Sequence, residues 1–244
     1  MNTSLIAIMN FFNKKQKTKK PKMRLTFGMI LRRGHYLYFL YYWLYEKITD
    51  HRLFGKTLNK TVYNLSANNY PAQSISYPYL REFIKRTKYQ ENEVFVDVGC
   101  AWGRLIAYLN IHTNLNKFIG VEINPQVAQY AEQSFKNNPE VQIIQGDVVD
   151  KLPKNGTTFF LFNPFDTMVM ERFLDSIEQN IDHPIRLLYL HPTCRTAIEK
   201  RSSHWHLVSK VELKPKHLGA LILCEYRYVP APSCTLCDIF ESTL

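Results

Sequence analysis

Between positions 94 and 190 the apolar residues alternate between two rhythms. Short continuous runs at 94–98, 117–123, 141–145, 158–162 and 185–190 are rich in β-branched and aromatic side chains, and read as strands buried on both faces. Between them, residues 104–111, 125–135 and 168–179 carry apolar positions at helical spacing, the second segment with Pro125 in its first turn. Strands alternating with helices predict an α/β fold, a doubly wound Rossmann-like sheet that is mostly parallel. The last two runs, 206–213 and 220–229, have only a short stretch with Pro215 and Gly219 between them, so an antiparallel C-terminal hairpin is expected to close a seven-stranded sheet.

Upstream the pattern is different. Residues 27–48 are dense in aromatics and read as a helix, followed by polar, Asn-rich chain to Tyr70 that reads as loop. After Pro78, the spacing of Leu80, Phe83 and Ile84 predicts a lead-in helix over 77–87. The expected organisation is therefore a basic, aromatic-rich segment at 1–45, a helical lead-in at 46–90, the α/β domain at 91–229 and a tail at 230–244. There is no internal repeat.

Composition sharpens this picture in two places. The chain has 244 residues, 45% of them hydrophobic and 14% aromatic, enough for one well-buried domain with an appendage. Its net charge of +10 is uneven, because residues 1–45 hold nine Lys or Arg and no acid, leaving 22 basic against 21 acidic side chains elsewhere. That head suits an anionic membrane surface through residues 14–45, with a nucleic-acid strand as the rival partner. A crossing is disfavoured because the run at 36–45 would cover roughly 15 Å as a helix, about half of a bilayer core. Five scattered cysteines fit a reducing, cytoplasmic setting better than a secreted disulfide framework. The short apolar stretch at 5–12 has its charges after it, unlike a signal peptide.

The chemistry is concentrated in "VFVDVGCAWGRL", residues 94–105. A strand ends in an acid and then two glycines, Gly99 and Gly103, which let the backbone turn tightly and approach a ligand. The turn lies at the carboxyl end of the first strand, where doubly wound sheets bind ligands. A dinucleotide site needs a further glycine, missing here, and Asp97 would sit badly beside a diphosphate. A cationic ligand fits Asp97 better.

The D-x-G-x-x-x-G arrangement, with "GVE" at 120–122, "QGD" at 145–147, "NPF" at 163–165 and a closing hairpin, resembles class I S-adenosylmethionine-dependent methyltransferases over most of residues 94–229. The nearer resemblance is to small bacterial methyltransferases related to the disruptor-of-telomeric-silencing type of histone lysine methyltransferase. The resemblance implies S-adenosyl-L-methionine as cofactor, with Asp97, Gly99, Ala101 and Gly103 under its methionine part. It implies Glu122 on the ribose hydroxyls, Asp147 on the adenine amine, and Asn163, Pro164 and Phe165 where the methyl acceptor is met. One departure is Ala101 in place of the usual middle glycine, which alters the turn if that position needs a positive φ.

An amide oxygen and a backbone carbonyl at 163–165 can hold an amine so that its lone pair points along the methyl axis, which makes nitrogen the expected acceptor atom and oxygen the next. His191, after the fifth strand, is either a general base or a strand cap. Arg104 is either a solvent-facing helix residue or a ligand contact. His204 and His206 lack a matching cysteine cluster, and Cys234 with Cys237 is a lone C-x-x-C, so no metal site is expected. The expected function is methyl transfer to an unidentified acceptor; the alternative is an inactive scaffold of the same fold.

Overall fold

The computed structural model describes residues 27–56, 58, 72–90, 92–216 and 218–230. The apolar stretch at 5–12, the basic run at 13–24, most of the Asn-rich loop, Cys234, Cys237 and nearly all of the expected tail lie outside them. Contacts divide the chain into Met1–Leu40 and Tyr41–Leu244, and the described part of the first unit, 27–40, is helical throughout.

Seven strands form one sheet: β1 (Phe95–Val98), β2 (Phe118–Glu122), β3 (Val141–Gln145), β4 (Thr158–Leu161), β5 (Ile185–Leu190), β6 (Trp205–Leu213) and β7 (Leu221–Tyr228). Their order is β3-β2-β1-β4-β5-β7-β6. The first five run parallel, and β7 enters antiparallel between β5 and β6. The expected hairpin is present, but its second strand is the inner one.

The strand residues alternate between two apolar layers. Val96, Val98, Ile119, Val121, Phe159, Leu161, Leu187 and Tyr189 face the layer covered by α5 (Thr167–Asn180) and α6 (Arg195–Glu199). Phe95, Phe118, Phe160 and Leu188 face the other, covered by α2 (Tyr77–Arg86) and α3 (Arg104–His112). Strands buried on both sides read as continuous apolar runs, which is why they stood out in the sequence. A further helix, α4 (Pro125–Phe135), starts where Pro125 predicts, with Asn124 capping the amides of Gln126 and Val127. The short α6 between β5 and β6 carries too few residues for a periodic signal.

The first described helix, α1 (Phe27–Phe54), runs through position 45, and from Tyr41 onward it belongs to the second unit. A buried ion network holds it there. Arg104, fully covered, donates to Glu46 and Asp50 at 2.9 Å each and to the Ile75 carbonyl at 3.2 Å. Asp50 also accepts from the Tyr77 hydroxyl at 2.7 Å, and the guanidinium lies 4.7 Å from the centre of the Tyr77 ring. Arg104 is therefore an internal anchor, neither solvent-facing nor turned to the crevice. Removing one member of a buried pair leaves an uncompensated charge, at a cost of about 3–5 kcal/mol. Arg104→Met is expected to lower the unfolding free energy by about that amount in urea titrations.

Candidate active site

Register brings the strand ends together. Val98 pairs with Val121 and Leu161, Glu122 with Gln145, and Leu161 with Tyr189. The residues that follow, Gly99, Ile123, Gly146, Phe162 and His191, therefore share one rim. The chain winds to β2 on one side of β1 and to β4 on the other, so the switch point of the sheet lies beside β1.

The turn after β1 is drawn inward by hydrogen bonds from the amides of Gly99 and Cys100 to the Val121 carbonyl, at 2.8 and 3.1 Å. Gly99 has φ +75°, and a Cβ there would come within 3.0 Å of Pro164 Cβ. The N-P-F loop thus rests on the glycine turn. Gly103 has φ +80°, and a Cβ would meet the Phe135 ring at 2.4 Å. Ala101 also adopts a positive φ, +49°, so the turn keeps a left-handed geometry at this position although the residue is not glycine. Its amide donates to Glu122 Oε2 at 2.9 Å, which helps fix that conformation.

Two carboxylates line the crevice almost without solvent. Asp97 is 4% exposed and Glu122 3%. Burial raises the Asp97 carboxyl to about 8, with the charge of Glu122 adding to the shift. Glu122 is also raised by burial, opposed by the amides bonded to it. No hydrogen-bond donor among the described residues reaches Asp97. Each Glu122 oxygen accepts one amide, from Ala101 and from Asn124, at 2.9 Å, and retains a lone pair. A buried acid without a donor, a glycine cradle and a carboxylate open to two hydroxyls fit the methionine and ribose parts of S-adenosylmethionine. Asp147, half-buried after β3, accepts from the Val149 amide at 3.0 Å through Oδ1.

On the other side of the switch point, Asn163 has φ +50° and its Oδ1 accepts from the Tyr189 hydroxyl at 3.2 Å and from Thr193. Tyr189 in turn accepts the Cys194 amide at 3.2 Å. Phe165 does not face the crevice: its ring is buried 5.8 Å from that of Phe173, because the chain must enter α5 over an apolar layer. Pro164 contributes the contact with Gly99. His191 has φ +55°, its amide donates to the Ile222 carbonyl at 2.7 Å, and its ring is exposed and makes no hydrogen bond to the described residues. Tyr189 and Thr193 were missed in the sequence, where "YLHPT" offers no spacing that ties them to Asn163. Among the described residues no group of His, Cys, Asp or Glu is arranged to hold a metal ion, and Cys100, Cys194 and Cys224 are free.

The turn yields a stability prediction. A left-handed non-glycine residue costs about 1–2 kcal/mol. Ala101→Gly relieves this, but it loses a buried methyl of about 0.8 kcal/mol and adds about 0.5–1 kcal/mol of chain entropy. Ala101→Gly is thus expected within about 1 kcal/mol of the parent by thermal unfolding. Gly103→Ala, strained and pressed against Phe135, is expected to lose more than about 2 kcal/mol.

Comparison with known proteins agrees with this architecture. The FtsJ-like methyltransferase family matches residues 79–224, well over half of the chain. Among solved structures, the mitomycin 7-O-methyltransferase MmcR is 16% identical with a TM-score of 0.51, over 62% of this chain and 53% of that one. The tRNA methyltransferase TrmK from B. subtilis is 15% identical with a TM-score of 0.51, over 64% of this chain and 67% of that one. The chain thus spans about half the length of the mitomycin enzyme. At these identities the likeness is one of fold. No curated protein matches the sequence significantly. The glycine turn after β1 and the acid at the end of β2 lie within the matched segment, which reaches into β7, and the chain belongs to the FtsJ-like methyltransferase family.

Proposed function

We propose that this protein transfers a methyl group from S-adenosylmethionine to an acceptor met beside Asn163. The observation that carries the proposal is the pair Asp97 and Glu122, buried with no cation of the described residues beside them. The sulfonium would supply the reactive methyl; the protein's own residues hold, orient and keep out water. Asp97 would face the cationic methionine part, Glu122 the two ribose hydroxyls and Asp147, through its remaining oxygen, the adenine amine. The joined "FVDVGCAWGR", "GVE" and "NPF" motifs also support a relation to the bacterial relatives of the disruptor-of-telomeric-silencing type methyltransferases.

For the acceptor atom, an amine nitrogen held near Asn163 follows from the N-P-F motif. The hydrogen bonds favour a second reading. Asn163 Oδ1 already accepts from Tyr189 and Thr193, which leaves the amide Nδ2 to face a substrate as a donor. A donor would compete for the single lone pair of an amine. A hydroxyl oxygen has two, one to accept from Nδ2 and one to attack, with exposed His191 on the same rim to take the proton. Incubating cell extract with cofactor labelled on its methyl group, then separating N-methyl from O-methyl products, decides between the two.

The inactive scaffold is tested by calorimetric titration with S-adenosylmethionine, where absence of binding would favour it. Asp97→Asn and Glu122→Gln are each expected to weaken binding roughly ten- to hundredfold, the value of one charge-assisted bond; unchanged affinity in both would sink the proposal. Because the folded Asp97 holds its proton up to about pH 8, a cationic ligand must displace that proton at lower pH. Affinity is expected to rise with pH until about 8 and then level, and Asp97→Asn to flatten the profile. The same shift makes the unliganded fold bind more protons than the unfolded chain between the ordinary carboxyl value of 3.8 and about 8, so its melting temperature is expected to fall across that window.

A further inference from the structure

From Tyr41 onward α1 is built with its polarity reversed. Glu46 and Asp50 point into the domain, toward Arg104, together with Tyr45, whose ring lies 6.2 Å from that of Tyr77. The outward side carries Tyr41, Leu44 and Ile48, each between 44% and 59% exposed, with Trp43 alongside at 44%. Leu37 and Leu40, earlier in the same helix, are exposed as well. Positions 41, 44 and 48 recur at helical spacing and form one stripe. Lys47 lies at its edge, with its ammonium 5.7 Å from the centre of the Trp43 ring.

Isolated exposed apolar residues are ordinary, but a contiguous stripe of leucine, isoleucine, tyrosine and tryptophan marks a covered surface. No helix of the described residues is long and apolar enough to cross a membrane. The chain just before the stripe carries all nine basic residues of the first 45, Lys14 to Arg33, without one acid. An apolar face that includes tyrosine and has tryptophan at its margin, preceded by unopposed positive charge, matches an anionic bilayer surface: side chains enter the acyl boundary while lysine and arginine meet lipid phosphates. A second protein copy would present the same positive charge and be repelled.

We propose that the outward face of α1, centred on Tyr41, Leu44 and Ile48, docks the protein in plane on membranes containing anionic phospholipid. The basic segment adds electrostatic attraction, and the aromatic stripe adds insertion. This surface shares no residue with the crevice, and the proposal does not depend on which acceptor is methylated.

The test uses the full chain with vesicles of phosphatidylcholine, alone or with about a third phosphatidylglycerol. Trp102 and Trp205 are buried, so Trp43 is the reporter. The expected result is sedimentation with the anionic vesicles, a blue shift of the emission and protection from iodide. A Leu44→Ser, Ile48→Ser variant, altered only at exposed positions, is expected to partition about tenfold more weakly. Its melting temperature and its response to S-adenosylmethionine should not change. Equal partitioning of parent and variant would overturn the proposal, since charge alone would then explain adhesion. So would failure of the parent to bind either vesicle while binding a single-stranded oligonucleotide, or a dimer in sedimentation equilibrium that the variant abolishes.

Discussion

Two carboxylates with no cation of the described residues beside them set the terms for this protein. Asp97 and Glu122 are carried by adjacent parallel strands into a place where water hardly reaches, and each has its charged form penalised by burial. A chain selected for stability alone would place valine or threonine at the end of β1, like the apolar residues that precede it. The acids persist at a cost in stability that the proposed cationic, hydroxyl-bearing ligand would remove. The glycine turn serves the same end, because its hydrogen bonds to Val121 pull the backbone down beside Asp97 and leave a cradle in place of side chains. Cys100 is drawn into this negative setting too, its thiol pushed well up by burial and by both carboxylates. It is therefore a packed, protonated group, not a nucleophile.

Much of the framework was legible because its signals are local. Val141–Gln145, Pro125–Phe135 and Ile185–Leu190 fall where their apolar spacing and Pro125 place them. The strand-end acids and glycines follow from the same reading, since a parallel strand puts its carboxyl end on the binding rim. What the sequence withheld depends on distant partners. Nothing near Arg104 announces Glu46 or Asp50, more than fifty positions away. Nothing near Asn163 announces Thr193, thirty positions on. The hairpin of β6 and β7 is a local feature, yet which strand joins β5 is decided by the packing of β7 against both neighbours.

Backbone strain follows the same geography. Ala101, Asn163 and His191 are the described non-glycine residues with positive φ, at +49°, +50° and +55°. One follows β1, one β4 and one β5, the three strands around the switch point. Each costs on the order of 1–2 kcal/mol and persists because its surroundings fix it: the Glu122 carboxylate for Ala101, two hydroxyls for Asn163 and the Ile222 carbonyl for His191. Strain concentrated at three strand ends, and at no other described non-glycine residue, points to a rim shaped for a ligand.

The reversed polarity of α1 has its origin in the same turn. From Tyr41 to Phe54 the helix has two apolar sides: Tyr42, Tyr45 and Leu53 toward the domain, Tyr41, Leu44 and Ile48 away from it. Burial of hydrocarbon alone would choose poorly between them, since each full side chain gains about 1.5–3 kcal/mol on either side. Arg104 breaks the tie. As the first residue of α3, directly after Gly103, it cannot leave without disturbing the glycine turn, and its guanidinium is enclosed with donors to satisfy. Rotating α1 to hide Leu44 and Ile48 would take Glu46 and Asp50 away and leave that charge unpaired, at about 3–5 kcal/mol. The exposed stripe is thus a consequence of how the turn is anchored, and whatever covers that stripe bears on a helix only one ion pair removed from the crevice.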